Sequence, residues 1–187
     1  LPKIYAMLSA EKSYSERLFL YKEIGSLDTE QSRKAIEIPA QKLHVSYSAE
    51  AVEKITELSK GYPFFIQQLC QLVFDHASDQ VITLDDVNAV IPGFFQVLDN
   101  GFFKVRYERC SDADRRFIFA MVACGTLPCT ISNIAKIMKK PVGSISTARA
   151  QLISKGIIYS VKYKELDFTV PEFSGFIQRL DEYQEWL

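Results

Sequence analysis

Residues 111–179 read SDADRRFIFAMVACGTLPCTISNIAKIMKKPVGSISTARAQLISKGIIYSVKYKELDFTVPEFSGFIQR, and their pattern sets the fold. Ser111 followed three residues later by Asp114 has the form of a helix cap. Phe117, Ile118, Met121 and Val122 then recur at helical spacing to give that helix an inner face. Gly125 to Pro128 breaks the chain, and Thr130 begins a short helix carrying Ile134, Ile137 and Met138. Pro141-Val142-Gly143-Ser144 turns into a third helix, with Ile145, Leu152 and Ile153 inward and Ser146, Thr147, Arg149, Ala150 and Gln151 outward. Gly156 ends it. Residues 157–161 and 166–170 alternate like paired strands, and Pro171 opens a last helix through Phe176 and Leu180. Three helices followed by a hairpin predict a winged helix-turn-helix whose third helix is the groove-reading element.

Charge gathers on the same module. Residues 136–164 hold seven basic side chains (Lys136, Lys139, Lys140, Arg149, Lys155, Lys162, Lys164) and no Asp or Glu. The whole chain has a formal charge of -1, so this run stands out against a nearly neutral background. A contiguous, acid-free basic stretch is an electrostatic footprint for phosphates.

The first 110 residues read differently, with 12 basic against 15 acidic side chains. Residues 1–20 have a helical pattern, and Asp28 with Gln31 forms a capping box for a helix expected to stop at Pro39. Ser48 caps a helix built on Ala51, Val52, Ile55 and Leu58, ended by Gly61. Pro63 suits a first helical turn, and Phe65, Ile66, Leu69, Leu72, Val73 and Phe74 make the next helix apolar over most of its circumference. Thr83 with Asp86 caps a further helix, which continues from Phe94 to Tyr107 past Gly101. The pattern divides the chain into an all-helical domain at 1–92, a helical connector at 93–110 and a winged-helix domain at 111–187. The fold class is mainly α, with one small β-hairpin.

Composition excludes several classes of function. At 187 residues with 48% hydrophobic and 24% charged side chains, the chain has the makeup of a globular protein. No apolar run approaches the roughly 18 residues of a membrane span, and no signal peptide opens the chain. The Leu1-Pro2 start, in place of Met, reads as a cut from a larger protein. Cys70, Cys110, Cys124 and Cys129 include no CxxC pair, which fits small buried hydrophobes in a reducing cytoplasm. With only His44 and His76 beside them, neither a zinc site nor a hydrolytic triad is expected. None of the eight glycines is followed by Lys, so the phosphate-binding loop of a nucleotide hydrolase is absent. Catalysis is not expected of this chain alone, and it carries no cofactor site.

Ser13-Tyr14-Ser15-Glu16-Arg17-Leu18-Phe19 and Ser59-Lys60-Gly61-Tyr62-Pro63-Phe64-Phe65-Ile66-Gln67 resemble the C-terminal part of an AAA+ ATPase. The similarity is closest to prokaryotic P-loop ATPases related to the archaeal origin-recognition type, and it covers essentially the whole chain. It implies a helical lid followed by a winged helix, with a nucleotide-binding domain upstream that holds ATP and magnesium, and assembly as a homo-oligomer. By the same resemblance Arg17 stands where such families place an arginine near a neighbouring subunit's nucleotide. The alternative for Arg17 is a surface arginine beside Glu16. Tyr62 and Pro63 fall next to the nucleotide or in the core. Phe64 occupies the position where many relatives carry a sensor arginine, a departure that counts against direct sensing by the lid.

For the basic module, Ser144, Ser146, Thr147, Arg149 and Gln151 are expected in or beside a major groove, with Lys136, Lys139, Lys140, Lys162 and Lys164 on the backbone. Duplex DNA is the expected partner. Two other functions stay open: a protein-interaction or scaffold module of a signalling ATPase, and a free-standing winged-helix transcription regulator.

Overall fold

The computed structural model describes residues 25–186, which are mainly helical with two small sheets. The helix expected over 1–20, and Arg17 with it, lies outside the described residues. The chain divides into two compact units, which cover 25–102 and 103–186 of the described part. The division falls within the stretch read as a helical connector.

In the first unit, α1 (Thr29–Gln41) opens on Asp28, whose carboxylate accepts from the Gln31 N–H at 2.7 Å while the Gln31 side chain accepts from the Asp28 N–H. Pro39 does not stop this helix. It falls in the last turn, where the lost N–H removes a single backbone bond, and the helix runs on to bury Ala40. β1 (Ser46–Tyr47) pairs in parallel with β2 (Val81–Ile82), a ladder that corrects the all-helical reading of this half. Two-residue strands are too short to show any period in sequence.

Helix α2 (Ala49–Ser59) is capped by Ser48 and ends on Lys60 in a left-handed conformation. Gly61 follows at φ 70, and a Cβ there would lie 2.1 Å from the Leu27 carbonyl oxygen. The Leu27 N–H donates to the Gly61 carbonyl at 2.8 Å, so two backbone segments touch and only glycine fits between them. Pro63 opens α3 (Pro63–His76), which buries Phe65, Ile66, Leu69 and Val73 but leaves Phe64 and Phe74 exposed. The reciprocal Thr83–Asp86 cap starts α4 (Leu84–Val97). Ile36, Val52, Ile55, Phe65, Leu69, Val87 and Phe94 form this unit's core.

A π-helical stretch (Leu98–Phe103) leads into α5 (Lys104–Tyr107). In the second unit, α6 (Asp112–Ala123) begins on the Ser111–Asp114 capping box and buries Phe117, Ile118, Met121 and Val122, as the sequence predicts. A loop leads to β3 (Cys129–Thr130), and Thr130 caps α7 (Ile131–Ile137). A 3-10 turn (Val142–Ile145) runs into α8 (Ser146–Ser154), ended by Gly156 at φ 69. The Ile157 N–H then donates back to the Leu152 carbonyl, which satisfies the helix end. β4 (Ile158–Lys162) and β5 (Glu165–Phe168) form the expected hairpin, but β3 adds on the far side of β5, giving an antiparallel sheet of order β3-β5-β4.

The last segment corrects a further expectation. Pro171 does not open a helix, because Glu172 takes φ 63. Helix α9 (Phe173–Gln178) starts after it, and α10 (Asp181–Trp186) follows as a separate element. The Tyr107 hydroxyl donates to the Glu182 carboxylate at 2.7 Å, and Phe119 meets Tyr183 and Trp186 ring to ring. These contacts close α10 onto α6.

The reading of the cysteines as small buried hydrophobes holds for Cys110, holds in part for Cys70 and fails for Cys124 and Cys129. Cys124 and Cys129 form a disulfide across the break between α6 and β3, because that tight turn brings their Cα atoms to 6.5 Å. Cys110 is a buried thiol and Cys70 a half-buried one; burial pushes both up to about 11, which keeps them protonated.

Candidate nucleic-acid interface

The second unit joins three elements around its basic residues. The Ile131 N–H at the start of α7 donates to the Lys164 carbonyl at 3.0 Å, tying α7 to the hairpin tip. The Arg149 guanidinium of α8 donates through Nη2 to the Ser160 hydroxyl of β4 at 3.3 Å. Leu152 and Ile145 are buried beneath α8, which fixes the face it turns outward.

Lys136, Lys139, Lys140, Lys162 and Lys164 are all exposed. None of the five forms an ion pair among the described residues. Lys136 lies in the last turn of α7. Lys139 and Lys140 lie in the turn before α8, and Lys162 and Lys164 flank the hairpin tip. The ammonium groups therefore bracket α8 in sequence on both sides.

The residues on α8 and its approach fall into three groups. Thr147 and Gln151 are exposed. The Ser144 hydroxyl donates to the Pro141 carbonyl at 2.8 Å and the Ser146 hydroxyl to the Gly143 carbonyl at 2.7 Å, so both are engaged in local turns. Arg149 is half-buried against β4, with its Nε enclosed and unpartnered. As it stands the helix presents short uncharged side chains, and its one guanidinium braces the hairpin.

Lys155, the remaining member of the basic run, stays partly exposed but has its ammonium paired with a buried carboxylate. Its Nζ lies 2.5 Å from Oδ2 of Asp114, a side chain with no exposure at all. Burial alone would push the Asp114 carboxyl up. The hydrogen bonds from Lys155 and from the Ser111 N–H and hydroxyl outweigh it and hold the group below the usual carboxylate range. The capping pattern gave Asp114 a role at its own helix, but a partner 41 residues away left no sequence signal.

In the first unit, Tyr62 is half-buried with its ring 4.8 Å from that of Phe65 and 6.2 Å from that of Phe102. Phe64 stacks on Phe102 at 5.0 Å. Pro63 is exposed at the first position of α3, and Gln67 is exposed as well. Among the described residues no group of His, Cys, Asp and Glu is placed to hold a metal ion, and no helix is long and apolar enough to cross a membrane.

A family model described as a domain of unknown function (DUF8462) matches residues 100–177. No curated protein matches the chain. Among solved structures, the RuvB Holliday junction branch migration motor of Thermotoga maritima is similar at 16% identity and a TM-score of 0.39, covering 83% of this chain and 50% of that one. A mutant form of the same RuvB aligns at 17% identity with the same TM-score, over 85% of this chain and 51% of that one. The chain thus spans about half the length of these structures. A TM-score of 0.39 is too low for the likeness to bear on fold or function.

Proposed function

We propose that residues 103–186 form a winged helix-turn-helix that binds duplex DNA through its phosphate backbone with little sequence preference. The order helix, strand, helix, helix, hairpin supports the fold, with α7 and α8 as the helix-turn-helix pair and β4–β5 as the wing. The observation that carries the binding reading is the set of five exposed lysines, outside any ion pair among the described residues, on the turn before α8, the end of α7 and the hairpin. Ammonium groups outside ion pairs contribute most when they displace counterions from phosphates. The uncharged face of α8 and the braced Arg149 support backbone contact over base reading.

The motif resemblance supports a wider proposal, in which the chain is the lid and winged-helix part of an AAA+ ATPase that couples DNA engagement to nucleotide state. ATP, magnesium and the phosphate loop then belong to a nucleotide-binding domain of the full-length protein. Arg17 is its candidate for a neighbouring subunit's nucleotide in a homo-oligomer, with Tyr62 and Pro63 nearest the nucleotide in the lid. The same reading places the protein in the cytoplasm, where a bond such as Cys124–Cys129 is uncommon.

A protein-docking role for the winged helix is the second reading. It is favoured by β4, an edge strand that leaves Tyr159 and Val161 exposed. Competition separates the two. If the proposal holds, unlabelled A·T-rich and G·C-rich duplexes displace a labelled duplex from the 187-residue chain with similar potency. Strong displacement by only one of them overturns the backbone reading, and absence of duplex binding at low salt overturns DNA binding altogether.

A further inference from the structure

We infer that the tip of the β4–β5 hairpin is a seat for an unpaired nucleobase, so that the protein prefers DNA containing a boundary between double and single strands over intact duplex. This rests on the DNA-binding reading above and names the form of DNA that the wing recognises. Among the described residues Tyr163 is 86% exposed, well beyond any other exposed large hydrophobic residue; Leu43 follows at 60%. An aromatic ring usually contributes through the large area it buries, and this one buries almost none.

The turn itself does not call for it. Lys162 and Glu165 are paired across the hairpin, which leaves Tyr163 and Lys164 as a two-residue connection. Such connections favour Asn and Gly, and here Lys164 takes φ 64, a conformation that glycine or asparagine adopts at less cost. Within the protein the ring meets the Lys164 ammonium, 4.9 Å from the ring centroid. The tip is nonetheless held in place. The Lys164 carbonyl accepts from the Ile131 N–H at 3.0 Å, and β5 is paired on both edges. A ring presented on a fixed platform loses little freedom when it is covered, which favours binding.

An open aromatic ring between two lysines has the chemistry of base stacking beside phosphates: the ring takes the face of a base, and Lys162 and Lys164 take the backbone on either side. In an intact duplex the base faces are already stacked on one another. The ring gains a partner only where a strand has opened.

The test compares a blunt duplex with the same duplex carrying unpaired arms, by fluorescence anisotropy with the 187-residue chain. The armed duplex is expected to bind about five- to a hundredfold more tightly, the range that stacking of one or a few bases supports. Tyr163→Ala is expected to remove that preference, while Tyr163→Phe and Tyr163→Trp keep it; the side chain is too exposed for these changes to threaten folding. Equal binding of both DNAs by the parent overturns the inference, as does a preference that survives Tyr163→Ala, and either result leaves the duplex-binding reading standing. Binding to neither DNA overturns both and turns the hairpin into a protein-docking element.

Discussion

Lys155 Nζ lies 2.5 Å from Oδ2 of Asp114, joining the end of α8 to the start of α6. The carboxylate also accepts from the Ser111 N–H at 3.0 Å and from the Ser111 hydroxyl at 2.9 Å. One buried side chain therefore closes a helix cap and anchors the helix that faces outward between the lysines.

Breaking that pair from the cationic side leaves a charged carboxylate enclosed. Lys155→Met is expected to destabilise the protein by about 3 kcal/mol, the low end for a buried pair because Lys155 is itself partly exposed. The Asp114 carboxyl is held below its usual range, so its contribution is complete above the unfolded-state value of about 3.9 and is lost as pH falls through the lower folded-state value. Urea unfolding should accordingly show the gap between Lys155→Met and parent narrowing at acid pH. A gap that widens on acidification would contradict this linkage.

Gly61→Ala is expected to be severe, because its Cβ would meet the Leu27 carbonyl oxygen at 2.1 Å and its φ is 70. A left-handed alanine alone costs on the order of 1–2 kcal/mol, and parting Leu27 from Gly61 adds the loss of their hydrogen bond. Thermal unfolding by circular dichroism checks this. A substitution as mild as Gly143→Ala, which meets nothing within 4 Å, would argue against the close approach.

Local signals were legible in the sequence, and contacts between distant segments were not. The caps at Asp28, Ser48, Thr83 and Ser111 could be read because each is a hydrogen bond between residues three apart. Phe117, Ile118, Met121 and Val122 were legible by period. The β1–β2 ladder, the place of β3 beside β5 and the Asp114–Lys155 pair join segments far apart in the chain, and composition carries no trace of them. Within the candidate interface the five lysines were legible as a run. The pairing of Lys155 with Asp114 and the bracing of Arg149 against Ser160 depend on tertiary packing. Tyr163 had a signal in Lys162-Tyr163-Lys164, an aromatic between two cations at a strand junction, but only its exposure gave it meaning.

Arg149 tests whether α8 reads bases. With Nη2 donating to Ser160, Arg149→Ala is expected to weaken binding to different duplexes by similar factors. A loss confined to particular sequences, worth roughly 1–3 kcal/mol, would mean that the guanidinium leaves Ser160 for a base edge. Parallel titrations of duplexes differing in sequence measure this.

Residues 1–187 are expected to bind no ATP in a calorimetric titration with magnesium present, since no glycine in the chain precedes a lysine of the phosphate-loop type. Tight binding would mean that the chain contains a nucleotide site of another kind.

The most direct measurement is the salt dependence of duplex binding by the 187-residue chain and by its Lys139→Ala/Lys140→Ala/Lys162→Ala variant. If all five lysines contact phosphates, the parent has a log–log salt slope of about −4 to −5, and the variant loses about one unit for each lysine removed, to near −2, while binding all sequences more weakly. A variant that binds as tightly and as steeply as the parent, or a parent that binds no duplex even at low salt, would contradict the account.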